Sequence, residues 1–350
     1  MRAKTVTLMA AMATLGAVAP PAGGIARPEV RADGDFGSAL SVLTYNVKGL
    51  PWPVTRSRSA DLAAIGDRLS GLRQAGRQPH IVALQEAFTD EAKAIGARGG
   101  YAYTAVGPAS EARQARSLDD PHRSSDASPD WMSGETEGHW VDSGLMLLSD
   151  YPILGIQRAA FPAGACGGFD CLANKGVLLV TIAVPGFQGP VDVLDTHLNS
   201  RHASGVSDAR SLHAYQQQIA FLRSFIMSRH DPNRPLILAG DFNVGAAPGR
   251  RQALFLAIAG SSGHPNLPPL HTAMTEALPK SRLSRQGWAD ARWTLRRARD
   301  WQFYTGGADA LSASAISLTF GTDDQGRTLS DHMGFTIYYR RGASMRLRRP

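Results

Sequence analysis

Short apolar runs punctuate the chain, and several of them end on residues that carry chemistry. Ser41-Val42-Leu43-Thr44-Tyr45-Asn46-Val47 reads as a strand with Asn46 near its end. Leu62, Ile65, Leu69 and Leu72 recur at three- and four-residue steps, which predicts an amphipathic helix with Ser59 as its N-cap and Gly76 and Pro79 at its end. Ile81-Val82-Ala83-Leu84 is a short buried strand that delivers Gln85 and Glu86. Residues 143–148 return to strand character, and 176–184 and 191–194 read as adjacent strands joined by the Pro185-Gly186 turn. A second helical stripe follows in Leu212, Tyr215, Ile219, Leu222 and Ile226, stopped by Pro232. Pro235-Leu236-Ile237-Leu238-Ala239 leads as a strand into Gly240-Asp241-Phe242-Asn243, and 300–304 and 335–339 supply the last strands. Two stretches lack any period: 107–139 reads as a surface excursion able to face a substrate, and 260–299 as irregular, ending in a basic cluster of Arg296, Arg297 and Arg299. Strands outnumber helices and helices separate some of them, which predicts an α/β sandwich of two packed sheets with helices on the outer faces.

The N-terminus changes this picture by adding a segment that is not part of the fold. Arg2 and Lys4 precede an apolar run from Val6 to Val18, and Ala17-Val18-Ala19 fits the small-residue cleavage pattern of an export signal. Pro20 disfavours cutting there, so the expected cut lies a few residues on, for instance after Ala26. The organisation expected is a signal peptide and leader over 1–26, a flexible linker over 27–37, a catalytic domain over 38–341 and a basic tail over 342–350. Export places the protein in a periplasm or outside the cell, where Cys166 and Cys171 can close a local disulfide. Two cysteines are too few for a zinc cage. Hydrophobic residues make up 43% of the 350, ordinary for a globular core, and the formal net charge of +7 suits an anionic partner, nucleic acid or phospholipid surface alike.

The polar residues at the strand ends form the parts list of a metal-assisted phosphodiesterase. Phosphodiesters resist attack because the phosphate is anionic and the alkoxide leaves poorly; a divalent cation answers both problems. Magnesium favours one or two carboxylates together with water and substrate phosphate. Glu86 is the expected ligand, with the amide oxygen of Asn46 directly or through water. His332 is the expected general base, since imidazole takes a proton from water near neutral pH when a carboxylate orients its other nitrogen. Asp300 is assigned that orienting role, with Asp331 as an alternative orienter or metal ligand. His197 is expected to donate to the phosphate or protonate the leaving group, while Asp195 and Asn199 are available as structural partners of its loop. Asp241 and Asn243 alternate around Phe242 and so aim at one spot, to hold the attacking water and a phosphate oxygen.

With these residues in view, the chain resembles the endonuclease/exonuclease/phosphatase superfamily, whose fold is that of deoxyribonuclease I. Leu43-Thr44-Tyr45-Asn46, Leu84-Gln85-Glu86, Thr196-His197, Gly240-Asp241-Phe242-Asn243 and Ser330-Asp331-His332 match the family's motifs in order. The resemblance implies a four-layer α/β sandwich with two mainly antiparallel sheets, magnesium (or another divalent cation such as manganese) as cofactor, and His332 as base. The run from Cys166 to Val177 is similar to the segment of neutral and bacterial sphingomyelinases that ends in Asn-Lys-Gly, and Asp195-Thr196-His197-Leu198-Asn199-Ser200 also resembles that branch. This implies a phosphate contact from Lys175 and a substrate-binding role for Asn199. The exposed aromatic hairpin of the bacterial enzymes is not found in the sequence; Trp301, Phe303 and Tyr304, the nearest aromatic cluster, fall where a core strand is expected.

The resulting expectation is an exported phosphodiesterase that cleaves a phospholipid such as sphingomyelin to ceramide and phosphocholine. The alternatives are a secreted deoxyribonuclease-like endonuclease, helped by the arginine-rich tail, and a non-catalytic anion-binding sandwich. The partners expected are the phosphodiester substrate and a membrane surface or nucleic acid; no protein partner is expected, and the chain is expected to be a monomer.

Overall fold

The computed structural model describes residues 39–51, 54–56, 58–115, 131–258, 269–305 and 311–341. The expected signal, linker and basic tail, and the middle of the 107–139 excursion, lie outside the described residues.

Two six-stranded sheets face each other. The first runs β11 (Leu311–Phe320), β12 (Gly334–Arg341), β1 (Leu40–Asn46), β2 (Ile81–Gln85), β4 (Met146–Ser149) and β3 (Tyr103–Val106). The second runs β5 (Ile153–Ala160), β6 (Gly176–Ile182), β7 (Val191–His197), β8 (Leu236–Asp241), β10 (Asp300–Thr305) and β9 (Leu270–Thr272). The helices are α1 (Ser59–Gln74), α2 (Asp90–Lys93), α3 (Ile95–Arg98), α4 (Asp208–Arg229), α5 (Pro248–Ile258), α6 (Ala273–Ala277) and α7 (Arg285–Arg297).

The layers follow from which face of each strand is apolar. Between the sheets lie Val42, Ile81, Leu147, Leu178, Val180, Val193, Ile237 and Phe335. The alternate residues face outward and are covered by helices: Leu43, Val82 and Leu148 pack against Leu62, Ile65 and Leu69 of α1, and Leu179, Leu194 and Leu238 against Tyr215, Ile219 and Leu222 of α4. Strands buried on both faces read as continuous apolar runs, which is why these central strands were visible in the sequence. Trp301, Phe303 and Tyr304 lie buried in β10, a core strand as expected. Two buried glutamines join the sheets. Gln85 Nε2 donates to Asp195 Oδ1 at 2.7 Å, and Gln302 Nε2 donates to the Val42 carbonyl at 2.9 Å while its Oε1 accepts from the Tyr339 hydroxyl.

The topology gathers the site. Each sheet contains one parallel pair, β1 with β2 and β7 with β8, and the other pairings are antiparallel. The carboxyl ends of all four parallel strands carry polar residues in matched register: Asn46 lies opposite Gln85, and His197 opposite Asp241. Antiparallel β10 begins where β8 ends, which puts Asp300 opposite Asp241. β12 starts at Gly334, two residues after His332.

Gly240 permits the close approach of β7 and β8 at this end. Its φ is 153°, and a Cβ there would lie 2.1 Å from the Thr196 carbonyl oxygen. Gly240→Ala therefore pushes backbone against backbone. It should cost about 3 kcal/mol or more, read as a lowered urea midpoint; an unchanged midpoint would contradict this account.

Several sequence expectations need correction. Ser59 is the first residue of α1 rather than its N-cap; the N-cap position is Arg58, whose side chain makes no capping hydrogen bond. The 260–299 stretch was expected to be irregular, yet within its described part lie β9, α6 and the 13-residue α7. The buried face of α7 is Asp290, Ala291 and Thr294, so its helical period is not written in large apolar residues. β11, β5, β3 and α5 were not anticipated either. β11 alternates serine and alanine with a few apolar residues, and Gly155 interrupts the pattern of β5.

Candidate active site

Asp241, at the end of β8, is the hub. Its Oδ2 accepts from Asn46 Nδ2 at 3.1 Å and lies 3.6 Å from His197 Nε2 and 3.7 Å from His332 Nε2. Asn46 Nδ2 also donates to Glu86 Oε1 at 2.8 Å, and Glu86 Oε1 is 4.0 Å from His197 Nε2. Residues from the ends of β1, β2, β7 and β8 and from the start of β12 thus meet around one carboxylate. His332 Nδ1 is held by both carboxylate oxygens of Asp300, at 2.9 and 2.8 Å. That leaves Nε2 facing the cluster.

Backbone geometry aims these side chains. Lys48, Glu86 and Asn243 all have left-handed backbones, with φ of 52°, 56° and 46°. Non-glycine residues in that region carry strain on the order of 1–2 kcal/mol and are concentrated at functional sites. At Glu86 the twist is fixed on both sides: its carbonyl accepts from Gly49 N, and Ala87 N donates to the Gly144 carbonyl. Asn243 N closes an Asx turn on Asp241 Oδ1 at 3.0 Å, while Asn243 Nδ2 donates to the Leu198 carbonyl. Phe242 between them packs inward, edge-on to Phe303.

Burial and charge set the protonation. Burial would pull His332 down, but the Asp300 carboxylate, then Asp241, hold it up at about 9. Burial works against ionisation of Asp241 as well, yet His332, His197 and the Asn46 amide bring it down to about 2. Burial, with Lys175 nearby, lowers His197 to about 3, so it is neutral at physiological pH. Burial raises the Glu86 carboxyl, with Asn46 and His332 opposing. The cluster therefore holds an imidazolium between two carboxylates beside a neutral imidazole. Donor atoms of Asp241, Asp300 and His332 fall within 4.8 Å of one another, a grouping able to hold a metal ion. The contact of Nδ1 with both Asp300 oxygens makes an oriented acid–base pair the simpler reading of that trio.

Glu86 has the better surroundings for a hard cation. Its side chain is 18% exposed, so an ion can reach it, and among the described residues no lysine or arginine pairs with it. The atom that faces both Glu86 and Asp241 is Asn46 Nδ2, a donor standing where positive charge is wanted. Asn46 Oδ1 accepts from Lys48 N at 3.0 Å and keeps a second lone pair. One carboxylate with an amide oxygen suits magnesium, which retains several waters.

The remaining candidates divide. Lys175 is buried in the site wall, with Nζ 2.6 Å from Asp170 Oδ1, 3.3 Å from the Leu198 carbonyl oxygen and 3.4 Å from His197 Nε2. Asp331 is turned away from the cluster, half exposed and 3.7 Å from Lys48 Nζ, so the orienting carboxylate on His332 is Asp300. Asn199 is fully buried; its Oδ1 accepts from Gly167 N and its Nδ2 donates to the Ser200 carbonyl, so its amide ties loops together. Asp195 pairs across the sandwich with Gln85 rather than within its own loop, and burial pushes its carboxyl well above the usual range. Cys166 and Cys171 form a disulfide at the short helical turn Gly168–Leu172, which contains Asp170.

Two residues were missed. Asp170 holds Lys175 and also accepts from Ser200 N and Oγ. Its place in the cysteine-bounded run was the available signal. Arg250 is buried behind the 197–200 and 241–245 loops and looks in sequence like one of two surface arginines.

This arrangement of strands and site residues is that of a phosphoric-ester hydrolase. The chain belongs to the Endonuclease/Exonuclease/phosphatase family, which it matches over residues 43–332 and whose enzymes hydrolyse phosphodiester bonds. Among solved structures it is similar to a beta toxin double mutant from Staphylococcus aureus with bound magnesium ions, at 15% identity and a TM-score of 0.57, covering 86% of this chain and 99% of that one. It is similar to sphingomyelinase C from Streptomyces griseocarneus at 19% identity and a TM-score of 0.55, covering 86% and 99%. It is also similar to D. rerio TDP2 complexed with single strand DNA product, at 18% identity and a TM-score of 0.53, covering 87% and 99%. At these identities the likeness concerns the fold. No curated protein matches the sequence.

Proposed function

We propose that the chain is an exported, magnesium-dependent phosphodiesterase acting on a phospholipid, with sphingomyelin as the leading candidate and ceramide and phosphocholine as products. The observation that carries the chemistry is the linked set Glu86–Asn46–Asp241–His332–Asp300, with each successive pair within 3.7 Å. Magnesium, when bound, neutralises a non-bridging phosphate oxygen and the leaving oxygen, and Glu86 and Asn46 are the residues that would hold it. Asp300 fixes the ring of His332 so that Nε2, in the deprotonated fraction that grows as pH rises toward about 9, takes the proton of the attacking water. Asp241 orients that water from its hub position and stabilises the imidazolium that forms. His197, neutral and beside the Lys175 ammonium, donates to a phosphate oxygen, and Lys175 adds positive charge at the same wall.

The lipid assignment rests on the Cys166–Val177 run with its Asn-Lys-Gly stretch and on the sphingomyelinase among the similar structures. Nuclease activity is the second reading; the net charge of +7 and the DNA-bound neighbour favour it. A disulfide in the fold supports export. The purified mature protein should release phosphocholine from sphingomyelin vesicles with magnesium and release none with a chelator. Cleavage of duplex DNA in place of lipid would move the substrate to the second reading. No turnover on sphingomyelin, phosphatidylcholine or DNA would reject an enzyme.

A further inference from the structure

Arg250 is 1% exposed, and among the described residues no carboxylate lies within ion-pair distance of its guanidinium. A buried charge without a counter-ion is expensive, and an apolar residue of the same volume usually serves stability as well or better. Its partners are four carbonyls on three segments. Nη1 donates to Asn199 O at 2.5 Å and Asn243 O at 2.9 Å; Nη2 donates to Ser200 O at 3.0 Å and Ser211 O at 3.2 Å. The guanidinium lies over the Tyr215 ring, 4.5 Å from its centroid, so α4 fixes its plane from one side.

Those carbonyls belong to residues beside the chemistry. Asn199 is two residues beyond His197, and Asn243 is two beyond Asp241. Asn243 is held in a left-handed turn, and from that turn its backbone N reaches Asp241 Oδ1 and its amide reaches Leu198 O. Leu198 O in turn accepts from Lys175 Nζ. One rigid fork thus spans the loop after β7 and the loop after β8. A single ammonium cannot hold four acceptors in this planar array, whereas a guanidinium can.

We propose that Arg250 is a positioning residue for the reaction: its fork sets the spacing of the His197 and Asp241-Asn243 loops. This rests on the catalytic reading of the site given above. Because displacements of about 1 Å at a reacting centre cost roughly 10²-fold in rate, Arg250→Met should lower kcat by about 10²-fold with KM changed less than about twofold. Arg250→Lys should recover part of the loss, with kcat about tenfold below wild type.

The measurement uses the mature protein with magnesium and both sphingomyelin vesicles and bis(4-nitrophenyl) phosphate, at a temperature where circular dichroism shows each variant folded. A graded fall in kcat, Arg above Lys above Met at constant KM, supports the proposal. Wild-type kcat in a folded Lys or Met variant overturns it and leaves the functional reading intact. If Arg250→Met does not fold, the Lys variant decides alone by the same criterion. Absence of turnover by the wild type itself overturns the functional reading, and this proposal with it.

Discussion

His332→Ala should lower kcat by about 10²–10⁴-fold and should also lower the urea midpoint. The rate loss follows from removing the group whose Nε2 faces Asp241 and whose ring is already aligned by Asp300. The stability loss follows from the same ion pair. His332 is a buried imidazolium between two buried carboxylates, and its removal leaves Asp300 without its partner, which by itself is costly. Pairing His332→Ala with Asp300→Asn removes both charges and should restore much of any stability lost by the single variant. The pH profile separates a base from a structural ion pair. A base must be unprotonated to work, and with its proton held to about 9 by Asp300 and Asp241, the activity should rise as pH increases toward that value. Asp300→Asn removes the larger of the two carboxylate influences, so the ascending limb should move to lower pH while the maximal rate falls. An unmoved limb, or wild-type turnover in His332→Ala, would take the base role away from His332.

Much of this site was legible in the sequence because its residues sit where strands end. A strand buried on both faces, such as Ile81-Val82-Ala83-Leu84, announces itself as an apolar run, and the first polar residues after it are thereby marked. Asn46, Glu86, His197 and Asp241 were all found in this way, and the parallel pairing of β1 with β2 and of β7 with β8 brings them to one end. The choice between Asp300 and Asp331 also shows what local sequence cannot hold. Asp331 adjoins His332 in the chain, but in the bend before β12 its carboxylate faces Lys48, and it is the register of β10 against β8 that brings Asp300 to the ring.

The residues that escaped notice share a different physics. Arg250 stands in Gly249-Arg250-Arg251, where two neighbouring arginines look like a solvated pair. Its partners are backbone carbonyls, and carbonyls leave no trace in residue identity. The substrate-binding role of Asn199 came from the family-like run 195–200, whereas the structural role offered beside it fits the backbone groups that engage its amide. The elements missed in the fold, β11 and α7 above all, bury alanine, serine and threonine, and small residues carry too little hydrophobic contrast to reveal a period.

Glu86→Gln should divide stability from catalysis. Glu86 is a carboxylate whose proton affinity burial raises, close to a second carboxylate at Asp241 and with an amide as its nearest donor. In the metal-free protein that arrangement is a liability, so the neutral isostere should be at least as stable as the wild type by thermal unfolding. The same substitution removes the hard anionic ligand on which a divalent cation depends. Magnesium that raises the melting temperature of the wild type by binding the folded state should then have little effect on the variant. Turnover should fall by roughly 10³-fold or more, since the charge stabilisation lost in the transition state is several kcal/mol. Proton linkage gives a further check. Because the raised carboxyl must be ionised to take a cation, magnesium should bind the wild type more weakly as pH falls, with proton release measurable by calorimetry in buffers of different ionisation enthalpy. Should Glu86→Gln keep both its magnesium stabilisation and its turnover, the cation would have to sit elsewhere. The Asp241–Asp300–His332 trio would then become the place to look, and His332 could not be both ligand and base.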